Sequence, residues 1–565
     1  MTYEILREKI LPNVLKPARY IGNELNSVRK DWDKVPLKIA LAYPDTYEIG
    51  MSNLGIQILY HIINQQNDAL AERVFAPWPD FENLLSTCLE HSRETNNCLL
   101  STLESYKPLK DFDVIGFSLG HELTYTNIIA MLKLGGIPLR SSERGEKDPL
   151  ILGGGPCAFN PEPVADFFDF FVIGEAEEAI VEIADALRKT PNDSRLARLQ
   201  TLSTIPGVYV PKINKMVSKR YIKNLDLSPY PLSPIVPFIE AIHDRAVLEI
   251  MRGCKWGCKF CQAGWTYRPV REKSLETLLS QAEELIQNTG YEELSLISLS
   301  TSDHSRIEEL AKTLARNCES RRINISLPSM RTNTFSVRLA KEISRVRPSG
   351  ITLAPEAGTQ RLRDVIGKNM SEEHILEGVR SAFSEGIESI KLYFMLGLPT
   401  ETEEDLLGIC ALSQKILLLG KGYTRRAHIT VNLATFVPKP HTPLQWERQI
   451  STEETLEKQR FIKRNLRVKG IEVRWHQAEA SFLEGVFARG GRELSRVIEK
   501  AWERGARLDA WSEHFKFDIW QKAFSECGID PGQYLRERKK DEPLPWDHID
   551  TGIPKELLIR EAHKD

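Results

Sequence analysis

The sequence predicts an α/β protein built from two successive strand–helix units and closed by a mainly helical region. Three observations carry this. Short apolar runs recur, each followed by a turn and a stretch of helical periodicity. Glycines and prolines cluster at the ends of those runs. After about residue 445 the runs give way to helical patterns. Alternating strands and helices at this spacing argue for parallel sheets.

Residues 1–35 read as a short helical extension broken at Pro12 and Pro17. The first α/β unit spans 36–190. Its strands are expected at 37–44, 113–120, 149–155 and from Phe170 onward. Helices are expected from Asn53, from Asn127 and over the acidic start at 175–187. This pattern fits a doubly wound, Rossmann-like sheet, whose ligands lie outside the carboxyl ends of the strands. Residues 191–240 are rich in proline and polar groups and read as a linker. A second series over 241–445 holds about six strand–helix units, starting with Ala246 to Gly253. It predicts a full or partial (β/α)6 barrel, with functional groups at strand ends. In 446–565, Leu508, Trp511, Phe515, Ile519 and Trp520 recur at helical spacing. They read as an apolar face packed on the barrel. Arg536 to Lys540 reads as a solvated charged turn.

The chain of 565 residues is 41% hydrophobic and 27% charged. That composition excludes a disordered or collagen-like chain. The net charge of -3 gives no reason to expect a nucleic-acid or membrane partner. Neither a membrane span nor a signal peptide is visible, so the expected location is the cytoplasm. Nine cysteines are too few for a disulfide scaffold, and in a reducing compartment they are thiols, metal ligands or redox groups.

Three of the nine, Cys254, Cys258 and Cys261, fall within eight residues in a C-x3-C-x2-C spacing. Three thiolates can hold a [4Fe–4S] cluster while leaving one iron open. A structural zinc site takes four closed ligands, and no fourth one lies nearby.

The segment MRGCKWGCKFC resembles the signature of the radical S-adenosylmethionine (SAM) superfamily, with Phe260 as its aromatic position. The resemblance implies that SAM chelates the open iron. Reductive cleavage of its sulfonium bond then yields a 5′-deoxyadenosyl radical that abstracts hydrogen from an unreactive carbon. It also implies an electron donor such as flavodoxin or ferredoxin. Later strand ends supply groups for SAM. Ser300 and Thr301, in the run from Ser298 to Asp303, can accept from its ammonium or cap the next helix. Ser329 and Arg331 follow the next strand. Arg331 can hold the SAM carboxylate bidentately or form a structural ion pair. Glu356 can accept from the ribose hydroxyls or serve as a helix N-terminal acid. Leu396, in a turn resembling the family's G-L-P-x-E-T, is placed against the adenine, with Pro399 shaping the loop.

An α/β unit directly before such a barrel resembles the cobalamin-binding domain of the cobalamin-dependent subgroup. The chain as a whole resembles an uncharacterised family of that type with a short N-terminal helical extension. The resemblance implies cobalamin contacts from Thr46, Asn53, Tyr125, Gly154, Gly155 and Glu175. The D-x-H-x-x-G motif that places histidine on cobalt is absent. His121 stands as a substitute ligand or a polar wall residue. The expected activity is cobalamin-dependent methyl transfer to an unactivated centre of an unknown substrate. A methylthiotransferase-like enzyme on RNA or protein is the alternative and needs a second cluster, for which Cys88, Cys98 and Cys157 are the N-terminal candidates. The third reading is an iron–sulfur sensor.

Overall fold

The computed structural model describes residues 3–91, 98–327 and 351–563. Ser329 and Arg331 lie outside them. The first sheet has six strands: β1 (Leu37–Tyr43), β2 (Ala69–Phe75), β3 (Val114–Ser118), β4 (Leu150–Gly154), β5 (Phe170–Val172) and β6 (Val208–Tyr209). Their order is β2-β1-β3-β4-β5-β6, parallel except for the antiparallel β6. β6 and the Arg195–Leu202 helix both fall in 191–240, so that stretch is folded against the sheet. Within it β7 (Val217–Ser218) pairs with β17 (Ile549–Asp550) near the carboxyl end of the chain.

β2 has no counterpart in the sequence reading. Its centre carries Glu72 and Arg73, which break an apolar run. Arg73 is nonetheless buried, its guanidinium bonded to Glu104 (Nε–Oε1 2.7 Å) and Glu24 (Nη2–Oε2 2.8 Å). Strand side chains alternate between faces, and both faces of this sheet are covered. Ala40, Ala42, Ile115, Phe117 and Phe171 pack with Leu483, Phe487, Leu494 and Ile498 of the carboxyl-terminal helices. Ile39, Leu41, Val114, Leu152 and Phe170 pack on the other side, in one core with Leu248, Leu294 and Leu296 of the second unit.

That second unit is a partial barrel of two parallel sheets. One holds β8 (Ala246–Glu249), β11 (Glu293–Ile297) and β12 (Asn324–Ser326). The other holds β13 (Ile351–Glu356), β14 (Ser389–Leu396), β15 (His428–Thr435) and β16 (Ile471–Trp475). A short ribbon of β9 (Met251–Arg252) and β10 (Arg271–Glu272) flanks the cysteine segment. β16 falls in the stretch expected to be helical. It is a single edge strand between helices, too short to show its period.

The aromatic series from Leu508 to Trp520 does not form one helical face on the barrel. The helix begins at Phe517, and Leu508 has φ +50°. Its neighbours pack on the first sheet instead: Trp511 Nε1 donates to Asp45 Oδ1 (2.8 Å), and Leu508 N donates to Asn127 Oδ1 (2.8 Å). Arg538 is also no solvated turn residue. It is buried and donates to the Arg489 carbonyl (2.7 Å). Among the described residues no helix is long and apolar enough to cross a membrane.

Candidate functional site

The cysteine loop hangs from the carboxyl end of the β8–β9 strand. Gly253 opens it at φ +82°, where a Cβ would stand 2.7 Å from the Pro269 carbonyl. Only glycine accepts both the conformation and the contact. Backbone bonds then hold the loop: Lys259 N donates to Ile366 O (2.9 Å), Cys261 N to Cys258 O (3.2 Å), and Trp265 Nε1 to Cys258 O (3.0 Å). None of the three cysteines is in a disulfide, and all are half-buried. Burial raises the Cys261 thiol, countered by the Gly264 N–H on its sulfur (3.3 Å) and by Lys368.

The donor set fits a multi-iron cluster. The three sulfurs do not all lie within 4.8 Å of one another. A zinc tetrahedron needs sulfurs about 3.8 Å apart, from bonds of about 2.3 Å. Wider spacing suits thiolates bound to different irons.

Around this loop the structure gathers several of the expected residues. Phe260 and Met395 both pack against a small apolar cluster that includes Leu398 and Phe436, at the tops of β14 and β15. Asp303 joins the end of β11 to the loop. It takes the Ser300 hydroxyl (2.6 Å), Lys255 (3.0 Å) and the Trp256 indole N–H. Ser300 and Thr301 are buried within this turn, and Thr301 Oγ1 bonds to Ser298 Oγ (3.1 Å). Glu356 ends β13 at φ +68°, after a bulge between Leu353 and Glu356. A bulge re-aims a side chain, and a non-glycine residue at positive φ is a strain that functional sites tolerate. Burial raises the Glu356 carboxyl against the pull of Lys368, whose Nζ lies 3.4 Å away.

Lys368 escaped the sequence reading. Its loop is built to reach the cysteines. Gly367 turns at φ +67° with Gly257 O 3.0 Å from where a Cβ would be, and buried Arg363 ties Ala357 O, Gly358 O and Met370 O together. The only hint in sequence was a lysine after a glycine downstream of Glu356.

Leu396, expected against the adenine, takes a different place from Met395. It is fully buried in the core between β14 and its helices. Alternation along β14 puts Met395 on the Phe260 side, one residue from the expected position.

Several expected residues come together outside the carboxyl ends of the first sheet, where sheets of this kind hold ligands in a crevice. A Cβ on Gly154 would meet Val172 O at an ordinary contact distance of 3.8 Å. A Cβ on Gly155 (φ +111°) would stand 2.9 Å from Leu119 O. Asn53 is half-buried, caps its helix through Ile56 N (3.1 Å), and bonds Tyr43. Thr46 is buried with no partner for Oγ1. Tyr125 is core, its hydroxyl on the buried Cys157 thiol. Glu175 is saturated: Arg271 Nη2 and Nη1 lie at 2.7 and 2.8 Å, Arg252 Nη1 at 3.2 Å, and Ile222 N at 2.7 Å. Tyr43, Asp45, Gly120 and Trp511 also converge here, the last from a distant part of the chain.

His121 sits at the crevice mouth. Its Nδ1 accepts the Leu123 N–H (3.2 Å), and Nε2 faces Glu484 Oε2 at 3.8 Å. Burial opposes its charged form, but Glu484 and Glu122 raise its pKa overall. Lys439 lies between Glu122 (2.6 Å) and Glu484 (2.9 Å), filling with its ammonium the position a cation would take.

Cys88 and Cys98 form a disulfide, and Cys157 lies apart beneath Tyr125. The three are therefore not assembled for a second cluster.

Comparison with known proteins agrees with the cysteine loop. Residues 248–412 match the radical SAM superfamily, and residues 55–211 match a family described as the N-terminal part of radical SAM proteins. The chain belongs to the radical SAM superfamily. This radical SAM chain is 28% identical over 499 residues to an uncharacterised protein of Methanocaldococcus jannaschii, covering 88% of this chain and 98% of that one. It is 23% identical over 278 residues to an uncharacterised methyltransferase of Pyrococcus horikoshii, covering 47% and 58%. A tRNA-2-methylthio-N(6)-dimethylallyladenosine synthase of Thermotoga petrophila is 26% identical over 287 residues, 46% of this chain and 60% of that enzyme. Among solved structures, the cobalamin-dependent radical enzyme OxsB, with aqua-cobalamin and SAM bound, superimposes with TM-score 0.51 at 12% identity. The match covers 88% of this chain and 71% of that one, a likeness of fold.

Proposed function

We propose that this radical SAM enzyme is a cobalamin-dependent methyltransferase acting on an unactivated centre. The observation that carries the reading is the position of the crevice. Glu175, at the end of the last parallel strand, grips Arg252 and Arg271, which flank the cysteine loop in sequence on either side. The strand ends of the first sheet are thereby tied to the metal loop.

Cys254, Cys258 and Cys261 would hold the cluster. Glu356 and Lys368 would orient SAM as acceptor and cation. When bound, the cluster and SAM supply a carbon-centred radical and cobalamin supplies a transferable methyl group. The chain's own residues hold these groups and exclude water. Met395 and Phe260 would give an apolar wall, and Gly154, without a side chain, would let a ligand approach the backbone closely. His121 Nδ1 accepts the Leu123 N–H and its Nε2 faces Glu484, so the ring would be spent on these contacts rather than on holding the cofactor. The bound cofactors of OxsB and the name of the Pyrococcus relative support the same reading.

The test is anaerobic purification from cobalamin-replete cells. The expected result is one corrinoid and about four irons per chain. Iron without corrinoid would leave a radical SAM enzyme and remove cobalamin.

A further inference from the structure

The two barrel sheets turn one face to their helices and the other inward. Leu248, Leu294, Leu296 and Ile325 pack with Leu278 and Leu310 of the outer helices, and Ile390, Leu392, Ile429 and Val431 pack with Val379 and Ile409 of theirs. Alternation along each strand therefore puts Ser295, Asn324 and Ser326 on the inward face of one sheet, and Lys391 and Tyr393 on that of the other. Barrels of parallel strands fill their interior with layers of bulky branched side chains. Polar groups stand in their place here.

Several of these groups lack partners in the protein. Ser295 is fully buried, and neither its Oγ nor that of Ser326, beside it in register, makes a hydrogen bond. Asn324 Oδ1 is buried without one as well. Buried polar atoms are nearly always paired, so three orphaned oxygens on one face mark a place for a ligand.

On the other sheet Lys391 and Tyr393 are exposed, and neither has a hydrogen-bond or ion-pair partner among the described residues. The acids on the described inward faces are each taken by another cation: Glu249 by Arg252, Glu293 by Arg245, Glu356 by Lys368 and Glu472 by Arg474. Lys391 is left as an uncompensated charge. One cation suits one carboxylate or phosphate, whereas a nucleic-acid backbone is met by several. Lys391 lies four residues before Met395 on β14, about 13 Å at the strand rise. Met395 and Phe260 of the cysteine loop pack on the same apolar cluster. A ligand that spans from Lys391 to the level of that loop is of metabolite size.

We propose that the inward face of the barrel binds a small organic anion as the substrate. Lys391 takes its carboxylate or phosphate, and Ser295, Ser326 and Tyr393 take its hydroxyl or amino groups. The inference rests on the methyltransferase reading, which puts the reacting carbon at the end nearer the cysteine loop.

The experiment uses the reconstituted full chain and two probes, glycerol 3-phosphate and malate. Acetylation of Lys391 by acetic anhydride is followed by peptide mass spectrometry, with the exposed Lys147 as reference. At least one probe should protect Lys391 and leave Lys147 unchanged, and the better one tells phosphate from carboxylate. Equilibrium dialysis of that probe should show an affinity lower by about 10-fold or more in Lys391→Met, the scale of a hydrogen bond to a charged group, and largely restored in Lys391→Arg. Both variants should melt with the wild type, since the side chain has no partner to lose. Protection by neither probe, equal protection of Lys147, or equal affinity in Lys391→Met would overturn the site. Protection by a single-stranded RNA with both small anions ineffective would make the occupant a polymer and overturn it likewise. A chain that binds the anion at Lys391 but retains no corrinoid would keep this site and remove the methyl-transfer reading; a chain with corrinoid and no protection would do the reverse.

Discussion

Glu175 and Arg271 form a bidentate pair, Oε1–Nη2 2.7 Å and Oε2–Nη1 2.8 Å, that fastens the first sheet to the barrel. Both side chains are buried. A paired guanidinium and carboxylate tolerate burial that neither does alone. Glu175→Ala should destabilise the protein by about 3–5 kcal/mol, because two arginines lose their partner. Urea unfolding measures this; a loss under about 1 kcal/mol would show the pair to be dispensable.

The same carboxyl predicts an acid effect. Burial alone would raise the Glu175 pKa, but Arg271 and Arg252 hold it below the ordinary 4.5. Its contribution is complete above the unfolded value and is lost as pH falls through the lower folded one. The stability difference between wild type and Glu175→Gln should therefore shrink as pH drops below 4.5. A difference that grew on acidification would contradict the pairing.

Replacing Cys254, Cys258 and Cys261 together by alanine should remove iron and the broad thiolate-to-iron absorption. Iron analysis after anaerobic reconstitution decides this. A variant still holding about four irons per chain would locate the cluster elsewhere.

Glu356→Gln and Lys368→Ala should each weaken SAM binding by about 1.5–3 kcal/mol, the scale of hydrogen bonds to charged groups. Equilibrium dialysis against the reconstituted protein measures it. Equal affinity in both variants would exclude the pair from the SAM site.

The two strand-end glycines should behave differently. Gly154→Val adds bulk where a Cβ would meet only Val172 O at an ordinary 3.8 Å, so it should lower corrinoid retention with little change in melting temperature. Gly155→Ala forces a side chain onto φ +111° against Leu119 O and should cost about 1–3 kcal/mol of stability. Corrinoid content and thermal unfolding of the two variants separate these effects. If Gly154→Val retained full corrinoid, the ligand would lie elsewhere.

Cobalt coordination has its own readout. Electron paramagnetic resonance of the Co(II) state should lack nitrogen triplets in wild type and in His121→Ala alike. Triplets that vanish in the variant would make His121 a ligand.

The cysteine spacing, the strand-end glycines and most of the apolar strands were legible because they are local: a turn, a period or three thiols in eight residues need no distant partner. What depended on contacts across the chain was not. The β2 strand was hidden because Arg73 is tolerable in a sheet only once Glu24 and Glu104 reach it. Which of Met395 and Leu396 faces Phe260 was not legible because the faces of a strand are set by the register of its neighbours, here Phe394 on Leu433 and Met395 on Ala434. Lys368 and Trp511 enter their sites from loops whose course only Gly367, Arg363 and Asp45 determine. The sequence by itself determined the chemistry of the metal loop and the class of both sheets, since those follow from residue type and short-range geometry. Tertiary structure decided which side chains face the crevice and which are spent on burial, because a charge or hydroxyl acquires its role from the partners that desolvate or satisfy it.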